Sequence, residues 1–188
     1  MSILQHAIRA AVGTFQSLDA LDDALSRAAQ TIEKCLLSGH KLLVCGNGGS
    51  AADGADFSTE FACRFISDRR PYPAINLSNG RSLLTAIGND YGFDEVFARQ
   101  IRGLGVEGDV VVAISTSGNS KNIIRALEEA KRLKLNSIAL LGRDGGAAKG
   151  LAEIDLIVPQ HTTARIQEAH KFLFHVLCEM IEGNLERE

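Results

Sequence analysis

A chain of 188 residues, 45% of them hydrophobic and 23% charged, can bury one sizeable core and has neither the polarity of a disordered segment nor the repeats of a fibrous one. Its formal charge of −3, with neither sign gathered into a block, excludes a nucleic-acid track and a polybasic membrane patch. No apolar run approaches the ~20 residues that span a bilayer, and the first six residues hold no basic leader, so a cytoplasmic address without a membrane partner is expected.

Residues 5–20 place Ile8, Ala11, Val12 and Phe15 at helical spacing, and residues 22–38 continue the period through Leu25, Ala28, Ala29, Ile32, Cys35 and Leu36. Ser38-Gly39-His40 stops the second helix, and residues 41–45 form a strand that runs into Gly46-Asn47-Gly48-Gly49-Ser50. A helix from Ser50 to about Ile66 follows, then a proline-broken connector through Pro71 and Pro73, then a second strand at 74–77. A helix through Leu83, Leu84 and Ile87 ends at Gly88-Asn89-Asp90, and another through Val96, Phe97 and Ile101 stops at Gly103 or Gly105. Strands are expected at 109–114, 136–141 and 154–158, the last an edge strand closed by Pro159, with a helix over 119–133 between the first two. A turn lies at Asp144-Gly145-Gly146, and a final helix runs from about Thr162 to Glu182. Five apolar strands alternating with helices predict an α/β fold: a three-layer sandwich around a five-stranded parallel sheet, with right-handed crossovers and N-terminal helices ahead of it, in one domain of residues 1–188.

Ligands of such sheets sit beyond the carboxyl ends of the strands, near a switch in strand order. Two strands end there in Gly/Ser turns. The Gly46–Ser50 turn opens a helix, so unpaired N–H groups, the helix dipole and the Ser50 hydroxyl face an incoming anion. Ser115-Thr116-Ser117-Gly118-Asn119-Ser120 offers four hydroxyls at a second strand-to-helix junction. An N-cap needs one hydroxyl; several beside free N–H groups, without a lysine, suit a phosphate monoester. Neither turn is a dinucleotide or P-loop fingerprint. Cys35, Cys45, Cys63 and Cys178 are scattered and read as buried thiols of a reducing compartment. With no tryptophan and two tyrosines, stacking platforms for bases are not expected.

Asp53, Asp56 and Glu60 lie on the helix opened by the first turn. Asp56 and Glu60 are i and i+4; like charges at that spacing either face solvent or share a cation or proton. Phe57, Phe61 and Phe65 make the adjacent stripe apolar. On the last helix Gln167, Lys171 and His175 share one face at i, i+4 and i+8. An imidazole among Phe174, Val176 and Leu177 is either a core or interface residue or, beside those carboxylates, a ligand or acid–base group. A phosphate pocket with a carboxylate and an imidazole and no cofactor signature points to aldose–ketose isomerisation, with Glu60 as base and His175 as acid or donor. Asp56, Glu60, Gln167 and His175 could together hold one divalent ion, for which zinc is suited.

The strings CGNGGSAAD at 45–53, LTAIGNDYGFDEVFARQ at 84–100, GDVVVAISTSGNS at 108–120, LLGRDGG at 140–146 and TARIQEAH at 163–170 resemble, in order and over nearly the whole chain, the phosphoheptose isomerases of the sugar isomerase (SIS) domain family. The resemblance implies a flavodoxin-like sheet and a cytoplasmic homotetramer, with helices 1–38 contributing to oligomer packing and one subunit's last helix completing a neighbour's site. The implied reaction converts sedoheptulose 7-phosphate to D-glycero-D-manno-heptose 7-phosphate, the entry to heptose for lipopolysaccharide or surface glycans. Carried over by motif, Asn47, Gly48, Gly49, Ser50, Asn89, Asp90 and Gln167 would contact the sugar, and Ser115, Thr116, Ser117 and Ser120 the phosphate. Glu60 and His175 would share the proton transfers, and Glu60, Gln167 and His175 would bind one Zn2+ per subunit. The chain departs from the family at Asp56, which stands where GGSAADAQHF places a zinc-ligating histidine; harder ions then compete better. Gly54 in the same helix implies a close backbone approach. Two alternatives are an isomerase of a different phosphosugar and a related SIS-domain protein that binds the replication initiator; the latter typically lacks the counterparts of Glu60 and His175.

Overall fold

The computed structural model describes residues 1–185. Among them seven α-helices and five strands follow one another as α1 (Ile3–Gln16), α2 (Asp22–Leu37), β1 (Leu42–Gly46), α3 (Gly49–Ala62), β2 (Ala74–Asn76), α4 (Arg81–Tyr91), α5 (Ala98–Leu104), β3 (Val110–Ser115), α6 (Lys121–Arg132), β4 (Asn136–Gly142), β5 (Ile154–Val158) and α7 (Thr163–Glu182). The strands are all parallel, in the order β2-β1-β3-β4-β5. This is a flavodoxin-like order, the sheet that the family resemblance implies, with its switch between β1 and β3.

Every residue of β1 and β3 is buried, because helices cover both faces and leave no side for polar residues. Leu42 and Val44 of β1 join the cluster formed with α2, α3 and α7, including Ile32, Phe57, Phe61 and Phe174. Leu43 and Cys45 join the opposite cluster with α5 and α6, including Ile101, Ile123 and Leu127. β5, at the edge, alternates between buried and partly buried residues.

Three details differ from the sequence reading. α1 ends at Gln16 and passes into a 3-10 turn over Ser17–Leu21; its large side chains Ile3, Leu4, Ile8 and Val12 are exposed, while the small Ala7, Ala10 and Ala11 are partly covered and Thr14 is buried. α3 ends at Ala62, four residues earlier than expected, where Cys63 leaves helical geometry (φ −109°, ψ −97°). Cys63 is therefore exposed, whereas Cys35, Cys45 and Cys178 are buried as read, all four being free thiols.

Candidate active site

In the β1–β3 pairing Gly46 lies opposite Ile114, so the turns that follow the two strands leave the carboxyl edge of the sheet side by side. α3 starts after Gly48 and α6 after Ser120, and neither N-terminus receives a side-chain cap. Both first turns therefore point amide groups at the same space beyond the switch point. The two turns are tied by a pair of reciprocal hydrogen bonds, Asn47 Nδ2 donating to Asn122 Oδ1 and Asn122 Nδ2 to Asn47 Oδ1, both at 2.9 Å. Asn47 is half-exposed, Gly48 and Gly49 are exposed, and Ser50, which the sequence reading turned toward the ligand, is buried at 4% exposure.

The serines of the second turn divide the labour. Ser115 is buried; its Oγ accepts the Gly118 N–H at 3.1 Å and lies 3.3 Å from Ser120 Oγ, so it shapes the loop. Ser117 Oγ accepts the Asn119 N–H at 3.1 Å. Thr116, Ser117 and Ser120 keep partial exposure. Gly118 (φ 65°) is seated on the loop after β4, where a Cβ would collide with the Gly145 carbonyl. The same loop is held by the Ala148 N–H to the Gly118 carbonyl (2.9 Å) and the Ala147 N–H to Asn119 Oδ1 (3.0 Å).

α3 and α7 lie against each other in parallel, as four levels along the seam establish. The Gln167 amide lies directly over Gly49, and a Cβ there would push it aside; Lys171 Nζ pairs with Asp56 Oδ2 and sits 3.5 Å from Asp53 Oδ1. Phe174 stacks on Phe57 with ring centroids 4.4 Å apart, and the Glu182 carboxylate accepts the N–H groups of Ile66 (2.9 Å) and Ser67 (3.0 Å). α3 itself is pressed onto the sheet at Gly54, where a Cβ would meet Val44 Cγ1 at 3.0 Å and Ile114 Cδ1 at 3.3 Å. The close approach read from that glycine is present.

Electrostatics follow this seam. Burial raises the Asp53 carboxyl above its ordinary range against the opposing pull of Lys171, and the bond to Asp56 raises the Lys171 ammonium. Farther along, the Cys178 thiol is pushed up to about 12, first by burial and then by the carboxylate of Glu60. At the end of α3 the buried Arg69 donates to the Glu60 carbonyl (2.5 Å) and the Phe61 carbonyl (3.1 Å), closing the helix terminus that carries Glu60.

The SIS domain family profile matches residues 7–142. A phosphoheptose isomerase from Shewanella loihica is 45% identical over 183 residues, 96% of this chain and 91% of its own length. Among solved structures, a phosphoheptose isomerase from Francisella tularensis superposes with a TM-score of 0.92 at 38% identity, covering 97% of this chain and 100% of that one. One from Neisseria gonorrhoeae superposes with a TM-score of 0.86 at 42% identity, covering 96% and 99%. The chain belongs to the phosphoheptose isomerase family.

Of the residues that the family resemblance singles out, the structure gathers several at the switch point. Asn47, Gly48, Gly49, the Ser115–Ser120 turn and Gln167 surround the switch point. Asn89 and Asp90 are exposed at the end of α4 and bonded to each other at 2.8 Å. His175 is exposed, its ring stacked on Phe65 at 6.0 Å, and no hydrogen bond joins it to Glu60 among the described residues. For the expected metal set, Asp56, Glu60, Gln167 and His175, among the described residues no group of three or more His, Cys, Asp or Glu is placed to hold a metal ion. The positive evidence on fit is Lys171, whose ammonium already engages Asp56.

Sequence reasoning passed over three contributors. Asn122 had a weak signal, an amide two residues past the N-cap Ser120; Arg69, inside a proline-broken connector, had none. Lys171 was visible only as the middle member of a helical row. Its neighbour His170 is fully buried with Nε2–H donating to the Leu141 carbonyl at 3.1 Å, which makes it a core residue.

Proposed function

We propose that this protein is an aldose–ketose isomerase that converts sedoheptulose 7-phosphate to D-glycero-D-manno-heptose 7-phosphate through an enediolate, supplying heptose for lipopolysaccharide or other surface glycans. The observation that carries this reading is the pairing of two uncapped helix N-termini at one switch point, locked by Asn47 and Asn122, one of them opening the helix that bears Glu60.

The phosphate sits in the Ser115–Ser120 turn, on the hydroxyls of Thr116, Ser117 and Ser120 and the first amides of α6; neutral donors suit a dianion without trapping it as a fixed ion pair. The sugar extends over Asn47, Gly48 and Gly49 toward Gln167, with Asn89 and Asp90 closing the far side. Glu60 removes the proton from the carbon next to the carbonyl and returns it to the neighbouring carbon, while His175 supplies and recovers the proton of the carbonyl oxygen. General base action of this kind contributes roughly 10²–10⁴-fold. Retention of both Glu60 and His175 favours an enzyme over a binding module.

The working assembly is a homotetramer in the cytoplasm. Ile3, Leu4, Ile8 and Val12 leave α1 with an apolar face that the chain itself does not cover, which supports the packing role expected of the N-terminal helices; four free thiols accord with a reducing compartment. Incubating the purified protein with sedoheptulose 7-phosphate and a panel of other ketose and aldose phosphates tests the reading. Conversion of the heptulose phosphate ahead of the rest is expected; preferential turnover of a different phosphosugar would replace the substrate, and turnover of none would remove the isomerase assignment.

A further inference from the structure

Two features of this chain belong together. Asp56 stands where the family resemblance places a neutral histidine ligand, adding a negative charge to the set, and Lys171 adds a positive charge beside it. On α7 Lys171 is the i+4 member between Gln167 and His175, so its side chain leaves the helix between two of the expected ligands. Across the seam its ammonium is bonded to Asp56 and lies 3.5 Å from Asp53. The side chain keeps 37% exposure, so the ammonium held by the two carboxylates is not sealed off from solvent, and one helical turn before it Gln167 lies over Gly49. A metal ligated by Asp56 would have to displace this ammonium and then sit beside it, against like-charge repulsion.

We propose that the ammonium of Lys171 is the fixed positive charge of this active site and stands in place of a divalent ion. The proposal rests on the isomerase reading above. As Glu60 takes the proton from the carbon next to the carbonyl, the C–H electron pair becomes the new C–C π bond and the carbonyl π pair moves onto oxygen. Lys171 offsets the negative charge that gathers there, and no bond to its nitrogen forms; Glu60 returns its proton to the former carbonyl carbon, whose oxygen gains a proton from His175 while the neighbouring hydroxyl gives one up to His175 and becomes the new carbonyl. A preorganised positive group aimed at developing charge does what a Lewis acid would do there.

The test uses the full-length protein, Lys171→Met, Lys171→Arg and the double variant Asp56→His with Lys171→Met, which recreates the family ligand set. Zinc retained after equilibrium dialysis is measured by elemental analysis, beside kcat with and without chelator. The wild type is expected to retain substoichiometric zinc and to lose no activity to chelator. Lys171→Met should lose about 100-fold or more in kcat, the scale set by removal of one charge-stabilising donor, while Lys171→Arg keeps most of it. The double variant should bind about one zinc per chain. Stoichiometric zinc in the wild type whose removal abolishes turnover, or full kcat in Lys171→Met, would overturn the proposal. Should Lys171→Met not fold, the wild-type zinc and chelator measurements still decide. If the wild type isomerises nothing, the isomerase reading fails separately, and the zinc comparison between wild type and double variant still tests whether Lys171 excludes the metal.

Discussion

Asn47 and Asn122 meet amide to amide, each donating to the other at 2.9 Å although 75 residues separate them in the chain. One belongs to the turn that ends β1 and the other to the first turn of α6, so the pair sets the distance between the turn proposed to contact the sugar and the turn proposed to hold the phosphate. Replacing Asn122 by Leu keeps the branched shape and leaves the Asn47 amide without its partner. We expect KM for the heptulose phosphate to rise roughly 10-fold, about 1.4 kcal/mol of lost binding, with a smaller effect on kcat. Steady-state kinetics of Asn122→Leu read the split directly.

Glu60 is held by a helix whose last carbonyls are closed by Arg69. Glu60→Gln preserves shape and hydrogen bonding but cannot accept a proton, so kcat should fall by roughly 10²–10⁴-fold while phosphosugar binding changes little. Isothermal titration beside turnover separates the two. An unchanged kcat would take the base role away from Glu60.

Ser115 and Ser117 share a loop but not a task. Ser117 is partly exposed, and Ser117→Ala should raise KM several-fold by removing a phosphate donor worth about 1 kcal/mol, leaving the melting temperature close to wild type. Ser115→Ala removes the buried acceptor of the Gly118 N–H and should lower stability by about 1–3 kcal/mol, the cost of an unsatisfied buried donor. Kinetics and thermal unfolding of both variants check the contrast.

Acid should weaken the fold in two stages. Burial pushes His170 down from 6.5 to about 4, so the unfolded chain takes up its proton first. The stability it contributes is complete above about 6.5 and is lost as pH falls to about 4, at most about 3 kcal/mol. Glu129, bonded to Arg102 and Arg132, is lowered from 4.5 to about 2, and its contribution disappears across that lower interval by the same sign. Melting temperatures from pH 7 to about 2 should trace both stages, and His170→Gln, which keeps a donor for Leu141 but does not titrate, should flatten the upper one.

The residues alone determined the strands and their class: β1 and β3 are unbroken apolar runs because both faces of a parallel sheet are covered, and that composition is local. Helices with a clear 3.6-residue period, and the two glycine-serine turns at strand ends, were legible for the same reason, as were Glu60 and the departure at Asp56. Strand order, the Asn47–Asn122 pair, the Arg69 closure that stops α3 at Ala62, and the meeting of Lys171 with Asp56 were decided only by the tertiary structure. Each joins segments distant in sequence, through contacts that depend on which helix packs beside which, and no periodicity within a single segment encodes that choice.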